Sequence, residues 1–397
     1  MKILLGFSLL IFAIAAQAGD RSIRRLDGRS ISIAEAKALA QRTFVENHIT
    51  GAQVAILNDG HLVWSSAFGL RDREHDLPME TSTTTWAASI TKSVFATFVM
   101  KLVEQHQLQL DQPVAAQLDK PLDAYPEYTA AAADLVHDPR WSSVTPRMLL
   151  SHSSGLANFA QFEPDKKMHL HFAPGSRFAY SGEGLNLLQF VIEQREHKPL
   201  TELMQQSLFT PLGMTQTSMV WQERFASNVA DRYDFTEKFI SHTRREHARA
   251  AGSMTTSVED LSRFVAALMD HNILTEDSSK TMFRPVIRID TVREFPTLDQ
   301  PSGGEGPAVG LAYGLGWGLL TKTKYGPAFF KEGHGDGARN YLICFTRHRD
   351  CMILLTNSDN GELAFRPLLE DIFGDTVTPW KWEGYTREDI LQLRGKD

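Results

Sequence analysis

The chain has 397 residues, 41 of them Lys or Arg and 48 Asp or Glu, for a net charge of −7. With 42% apolar and 22% charged residues, its usage is that of an ordinary globular protein, which excludes a disordered or fibrous chain. The mildly acidic balance argues against a dedicated nucleic-acid binder, and two cysteines exclude a four-thiolate zinc centre or a disulfide-dense scaffold.

At the N-terminus, Lys2 is followed by the apolar run Ile3 to Ala16 and by Ala16-Gln17-Ala18, a small-x-small cleavage pattern before Gly19. This reads as a secretory signal over residues 1–18; the run is shorter than the ~20 residues needed to cross a bilayer. The mature protein is therefore expected to be exported, periplasmic or secreted, with no stable membrane anchor. Ile33 to Val45 has helical apolar spacing behind Ser32 as N-cap. Ala52 to Leu57 and Leu62 to Phe68 flank Asn58-Asp59-Gly60, a hairpin signal. Thr81 to Thr85 is polar and turn-like, and Ile90 to Gln105 is apolar and helical. From about 107 to 250 helices alternate with loops at Pro113, Pro146, Pro174 and Pro211; Gly182 to Glu196 and Leu200 to Leu208 read as helices. Ser257 with Asp260 three residues on opens another helix in a capping-box variant. Strand-like runs return at Tyr313 to Leu320, Tyr341 to Thr346 and Cys351 to Asn357, before a last helix from Glu362 to Ile372. This order predicts an α+β protein. Its sheet domain is made from both chain ends (19–80 and 286–397), with a mostly helical domain (81–285) inserted between them. A hairpin turning at Arg347-His348 would set Cys344 opposite Cys351, as either a disulfide or two buried thiols.

Three stretches carry chemistry. In Ser89-Ile90-Thr91-Lys92 the serine and lysine lie nearly one helical turn apart, on one face. The helix that follows is apolar on most sides, so the lysine is expected to be desolvated, which lowers an ammonium pKa and frees the amine to take the serine proton. Phe178-Ala179-Tyr180-Ser181-Gly182 precedes a helix and offers a hydroxyl that could shuttle a proton. Gly333-His334-Gly335-Asp336-Gly337 is glycine-rich backbone leading into a strand, where a substrate can approach closely. His169-x-His171 is the one metal-like pair, but no third ligand is indicated by spacing, and no metal or cofactor is expected. A Gly-x-Ser-x-Gly elbow is absent from the sequence.

Together these three stretches resemble the serine β-lactamase and penicillin-binding-protein superfamily, in particular its class C-like branch, which also holds D-alanyl-D-alanine peptidases and family VIII esterases. Met148-Leu149-Leu150-Ser151-His152-Ser153-Ser154-Gly155-Leu156, Pro211-Leu212-Gly213-Met214 and Ala250-Ala251-Gly252-Ser253-Met254 fit the same pattern, in order, from about Gly51 to Asn357. The resemblance implies a β-lactamase/transpeptidase-like fold with the active site between a sheet domain and a helical domain. Ser89 would be the acylated nucleophile, Lys92 its neighbouring base and Tyr180 the proton relay, with the general base left open between Lys92 and Tyr180. His334 would match the first position of the family's Lys-Thr-Gly strand motif, Gly337 would supply the second oxyanion donor beside the Ser89 N–H, and Arg339 could contact a substrate carboxylate. The chain departs from the family at Gly182, where Asn is usual, at His334 and at Asp336. All three departures weaken the case for β-lactam or peptidoglycan-stem substrates, both of which carry amides and carboxylates. The implied function is an exported serine hydrolase acting on an ester, a β-lactam or a D-amino-acid peptide, its partner a small-molecule or peptidoglycan-derived substrate. A penicillin or wall-fragment sensor with slow turnover is the alternative, and the sequence leaves the oligomeric state open.

Overall fold

The computed structural model describes residues 22–299 and 301–394; the signal-like segment 1–18 lies outside them. Asp59 and Gly60 both take positive φ, 54° and 83°, the turn geometry whose twist matches that of a hairpin. They join β1 (Gly51–Asn58) to β2 (His61–Asp72). The remaining strands of the main sheet are β3 (Leu77–Pro78), β4 (Ile287–Arg288), β5 (Leu311–Tyr313), β6 (Gly318–Leu320), β7 (Ala328–Gly335), β8 (Ala338–Phe345) and β9 (Asp350–Thr356). Their order is β4-β5-β6-β7-β8-β9-β1-β2-β3, antiparallel throughout. The last long strand thus pairs with the first, and residues 81–285 add no strand to this sheet.

Every residue of β1 is buried, because the sheet is covered on both faces. Val54 and Ile56 pack with Phe44 of α1 (Ile33–Glu46) and with Phe365 and Leu368 of α5 (Glu362–Leu368). Ala55 and Leu57, one residue out of phase and so on the other face, pack with α2 (Ile90–Glu104) and α4 (Val258–Met269). Ser32 caps α1 by accepting the Glu35 N–H at 3.1 Å, and Ser257 caps α4 by accepting the Asp260 N–H at 3.2 Å. Cys344 and Cys351 face each other across β8 and β9 and form a disulfide.

Two elements differ from expectation. Tyr313 to Leu320 is not one strand: it breaks at Gly314–Trp317, where Gly316 has φ +80°. At Gly314 the space a side chain would need lies 2.5 Å from the Met282 carbonyl. Conversely β7 was not expected, because Lys331-Glu332-Gly333 interrupts its apolar alternation.

Candidate active site

Ser89 stands at the N-terminus of α2, yet its hydroxyl makes no capping hydrogen bond. The residue before it, Ala88, has φ +46°, a left-handed conformation that costs a residue with a Cβ roughly 1–2 kcal/mol. Twelve of the fifteen residues of α2 are buried, so the first-turn lysine is buried too. Lys92 is 2% exposed, and its Nζ lies 2.9 Å from Ser89 Oγ and 2.6 Å from the Ala251 carbonyl. No carboxylate pairs with it among the described residues. Burial, reinforced by the nearby Lys331 charge, lowers its pKa to about 7. A neutral amine there can donate to Ala251 and still offer its lone pair to the Ser89 proton.

Tyr180 completes the cluster. Lys92 Nζ and Lys331 Nζ lie 4.9 and 4.8 Å from its ring centroid. Burial pushes the phenol pKa above its ordinary range, against the pull of Lys331, so the hydroxyl keeps its proton at neutral pH and can donate it. His152 holds the ring from behind, with centroids 4.4 Å apart. Its Nδ1 accepts the Ser181 N–H at 3.1 Å, while burial and then the Lys331 and Lys92 charges push its pKa well down. A neutral imidazole with a fixed tautomer therefore positions Tyr180. Ser181 in turn caps α3 (Gly182–Glu196) by accepting the Gly184 N–H at 3.0 Å.

A second buried lysine adjoins this cluster, three residues before His334. The cation against Tyr180 is Lys331, fully buried and hydrogen-bonded to Glu332. Burial opposes its charge, but Glu332, Tyr180, Tyr313 and Glu294 together hold its pKa well above the usual lysine range. His334 lines the cleft mouth, with its half-exposed ring 2.6 Å from Glu362 through Nδ1. Across the hairpin, the Arg339 N–H and carbonyl both bond Thr356 Oγ1, at 3.3 and 2.7 Å, and so face β9. Its register partner His334 accordingly turns its own N–H away from β8. On that edge of β7 the pairing with β6 ends at Phe330, which leaves the His334 N–H without a strand partner among the described residues. Ser89 also has its N–H outside any backbone bond among the described residues.

Gly337 is not at the cleft. It lies in the turn after β7 with φ +67°, and its N–H is donated to Asp359 Oδ1 at 2.7 Å, so it is not available to an oxyanion. Arg339 is also corrected: it pairs with Asp359 at 2.8 Å and Glu362 at 3.2 Å, and these internal acids occupy the edges a substrate carboxylate would need. His169 and His171 bond Asp165 and Glu163 separately, at 2.9 and 2.8 Å, away from the cleft.

Ser89, Lys92 and Tyr180 open onto a cleft of about 1230 Å³. At Gly182, the departure from the family's usual Asn, the space is taken: a Cβ there would lie 2.4 Å from the Phe159 ring, which lines the cleft. Gly182→Asn is therefore expected to push Phe159 aside and lower the melting temperature, since overpacking costs about 1–3 kcal/mol. Calorimetry checks this, and an unchanged melting temperature with new amide hydrolysis would show that the ring yields freely. Lys331, His152 and Phe159 were missed as site residues in the sequence. Lys-x-Gly directly after the apolar Ala328-Phe329-Phe330 was the signal for the first.

A family profile described as Beta-lactamase matches residues 32–372. Penicillin-binding protein 4* of Bacillus subtilis (strain 168) is 22% identical over 352 residues, 80% of this chain and 70% of that protein. Esterase EstB of Burkholderia gladioli is 30% identical over 235 residues, 52% of this chain and 57% of that one. Among solved structures, the octameric penicillin-binding protein homologue from Pyrococcus abyssi superposes with a TM-score of 0.69 at 21% identity, covering 86% of this chain and 79% of its own. With a match across the whole sheet and the segment inserted in it, the chain belongs to the beta-lactamase family and is a serine hydrolase of that fold.

Proposed function

We propose that the protein is an exported acyl hydrolase that cleaves ester bonds through an acyl-Ser89 intermediate, at a cleft between the sheet domain (19–80 and 286–397) and the helical domain (81–285). The 2.9 Å contact between a buried lysine amine, which has no carboxylate partner among the described residues, and the Ser89 hydroxyl carries this reading. Neutral Lys92 takes the Ser89 proton as Oγ attacks the ester carbonyl. The oxyanion is received by the N–H groups of Ser89 and His334, donors fixed in place before charge develops. Collapse breaks the bond to the alcohol, which leaves with the proton of the Tyr180 hydroxyl; Lys92 restores that proton. Water then attacks the acyl carbonyl, giving its proton to the same groups, and releases the acid with Ser89 regenerated.

Esters are favoured over amides and lactams because the amide side chain that would recognise a substrate amide is missing at Gly182 and its space is filled by Phe159. The Cys344–Cys351 disulfide supports an oxidising, extracytoplasmic compartment, in line with residues 1–18. Intact mass spectrometry after mixing with a p-nitrophenyl ester, a fluorophosphonate and a penicillin tests the reading. A transient acyl adduct on Ser89 with steady product release is expected, absent from Ser89→Ala. A lasting penicillin adduct without ester turnover would instead favour the sensor.

A further inference from the structure

The cleft wall beside Ser89 carries a guanidinium with no ion pair among the described residues. Trp86, three residues before the nucleophile, is fixed by its indole N–H donating to the Gly252 carbonyl at 2.6 Å. Its ring backs onto β7 so closely that a Cβ at Gly335 would lie 2.2 Å from it. The Arg245 guanidinium lies over this ring, 3.7 Å from the centroid, and Arg232 sits 5.0 Å from the same ring. Arg232 is hydrogen-bonded to the Asp336 carbonyl at 2.6 Å and to Ser241. Arg245 makes no side-chain hydrogen bond and no ion pair among the described residues, although it is only half exposed and lines the cleft. Burial, then repulsion from Arg232 and Arg249, lowers its pKa to about 10, and Asp336 offsets this only through space.

Of the acids that line the cleft, Glu332, Glu362 and Asp389 each already have a cation, whereas Glu246, Asp336 and Glu383 form no ion pair among the described residues. Glu332 bonds Lys331, Glu362 bonds His334 and Arg339, and Asp389 pairs with Arg293 at 2.7 Å. A guanidinium stacked on an aromatic face keeps its in-plane N–H edges free, and those edges match the two oxygens of a carboxylate.

We propose that Arg245, held flat on Trp86, docks an anionic group of the substrate, so that the preferred substrates are esters carrying a carboxylate. This rests on the ester-hydrolase reading for its chemistry but not for its test, which measures binding apart from turnover. In the Ser89→Ala protein, calorimetry compares p-nitrophenyl hydrogen glutarate with neutral p-nitrophenyl pentanoate, which places the charge on the acyl side. It also compares 4-(butanoyloxy)benzoate with its methyl ester, which places the charge on the leaving side. In at least one pair the charged ester is expected to bind about tenfold tighter. That preference should vanish on adding Arg245→Gln, survive in part in Arg245→Lys, and shrink as salt rises from roughly 0.02 to 0.5 M.

The pair that shows the preference identifies the side of the ester that carries the anion. Equal binding within both pairs, or a preference that persists in Arg245→Gln, would overturn the proposal. Should Arg245→Gln not fold, a preference insensitive to salt in the parent protein overturns it equally. Turnover of the same esters by the wild-type protein is a separate readout. Its absence would count against the hydrolase reading and leave the binding result standing.

Discussion

Replacing Lys92 by methionine is expected to lower the acylation rate by about 10²–10⁴-fold, the usual contribution of a positioned general base, while making the protein more stable. The two effects have one cause. Folding buries this amine without an acid partner and lowers its pKa from 10.5 to about 7, a shift that corresponds to about 5 kcal/mol against the charged form. Below pH 7 the folded protein carries that cost in full, because Lys92 is protonated in both the folded and the unfolded chain. Between pH 7 and about 10.5 only the unfolded chain holds the proton, so the wild type gains stability as pH rises. The melting temperature of Lys92→Met should therefore exceed that of the wild type most at pH 6, with the gap closing above neutrality. In single-turnover experiments the wild-type rate should climb about tenfold per pH unit below 7 and level off above it, since only the neutral amine accepts the serine proton. A variant that acylates normally, or that melts lower at pH 6, would contradict this account of the lysine.

Lys331→Met is expected to be strongly destabilising, by about 3–5 kcal/mol, because it strands a buried carboxylate. Glu332 is 5% exposed and bonded to Lys331, and it faces a second buried acid, Glu294. Burial and then the charge of Glu332 push the Glu294 pKa well above the usual carboxylate range. Glu294 is thus pushed toward its neutral form, so that Lys331 answers chiefly Glu332. Lys331 also acts on the chemistry: after burial, its charge is the largest influence lowering the Lys92 pKa. Without it the acid limb of the pH–rate profile should move to higher pH. The double variant Lys331→Met/Glu332→Gln should recover most of the stability, as removing both partners of a buried pair commonly does, and its profile should move back toward that of the wild type, because Glu332 raises the Lys92 pKa and its loss opposes that of Lys331. Chemical denaturation and the pH dependence of kcat/KM separate the two roles. A Lys331→Met protein that melts lower yet keeps the wild-type profile would show that Lys331 serves folding alone.

Local signals carried much of this molecule. Asp59-Gly60, the Ser32 and Ser257 caps and the apolar helix after Ser89 each act over a few residues, and each appears where its chemistry calls for it. The contact of Ser89 with Lys92 follows from helical periodicity alone, and Tyr180 joins them in space. Long-range pairing was less legible. The open edge of β7 depends on where β6 stops and on Arg339 turning its backbone toward Thr356, neither of which leaves a mark within Gly333–Gly337. Lys331 was not legible either, because a charge inside a buried strand is accounted for only by Glu332 and Tyr180 beside it in space. Arg339 looked available because its partners, Asp359 and Glu362, lie beyond the next strand. The exchange of Asn for Phe159 at Gly182 likewise involves a loop some twenty residues earlier in the chain.

Titration of Lys92 itself tests the central claim most directly. With lysine labelled at Cε, the NMR signal lost in Lys92→Met can be followed from pH 5 to 11. The account predicts a midpoint near the value of about 7 that burial imposes. A midpoint close to that of an ordinary surface lysine would mean that the amine stays protonated at neutral pH and cannot be what activates Ser89.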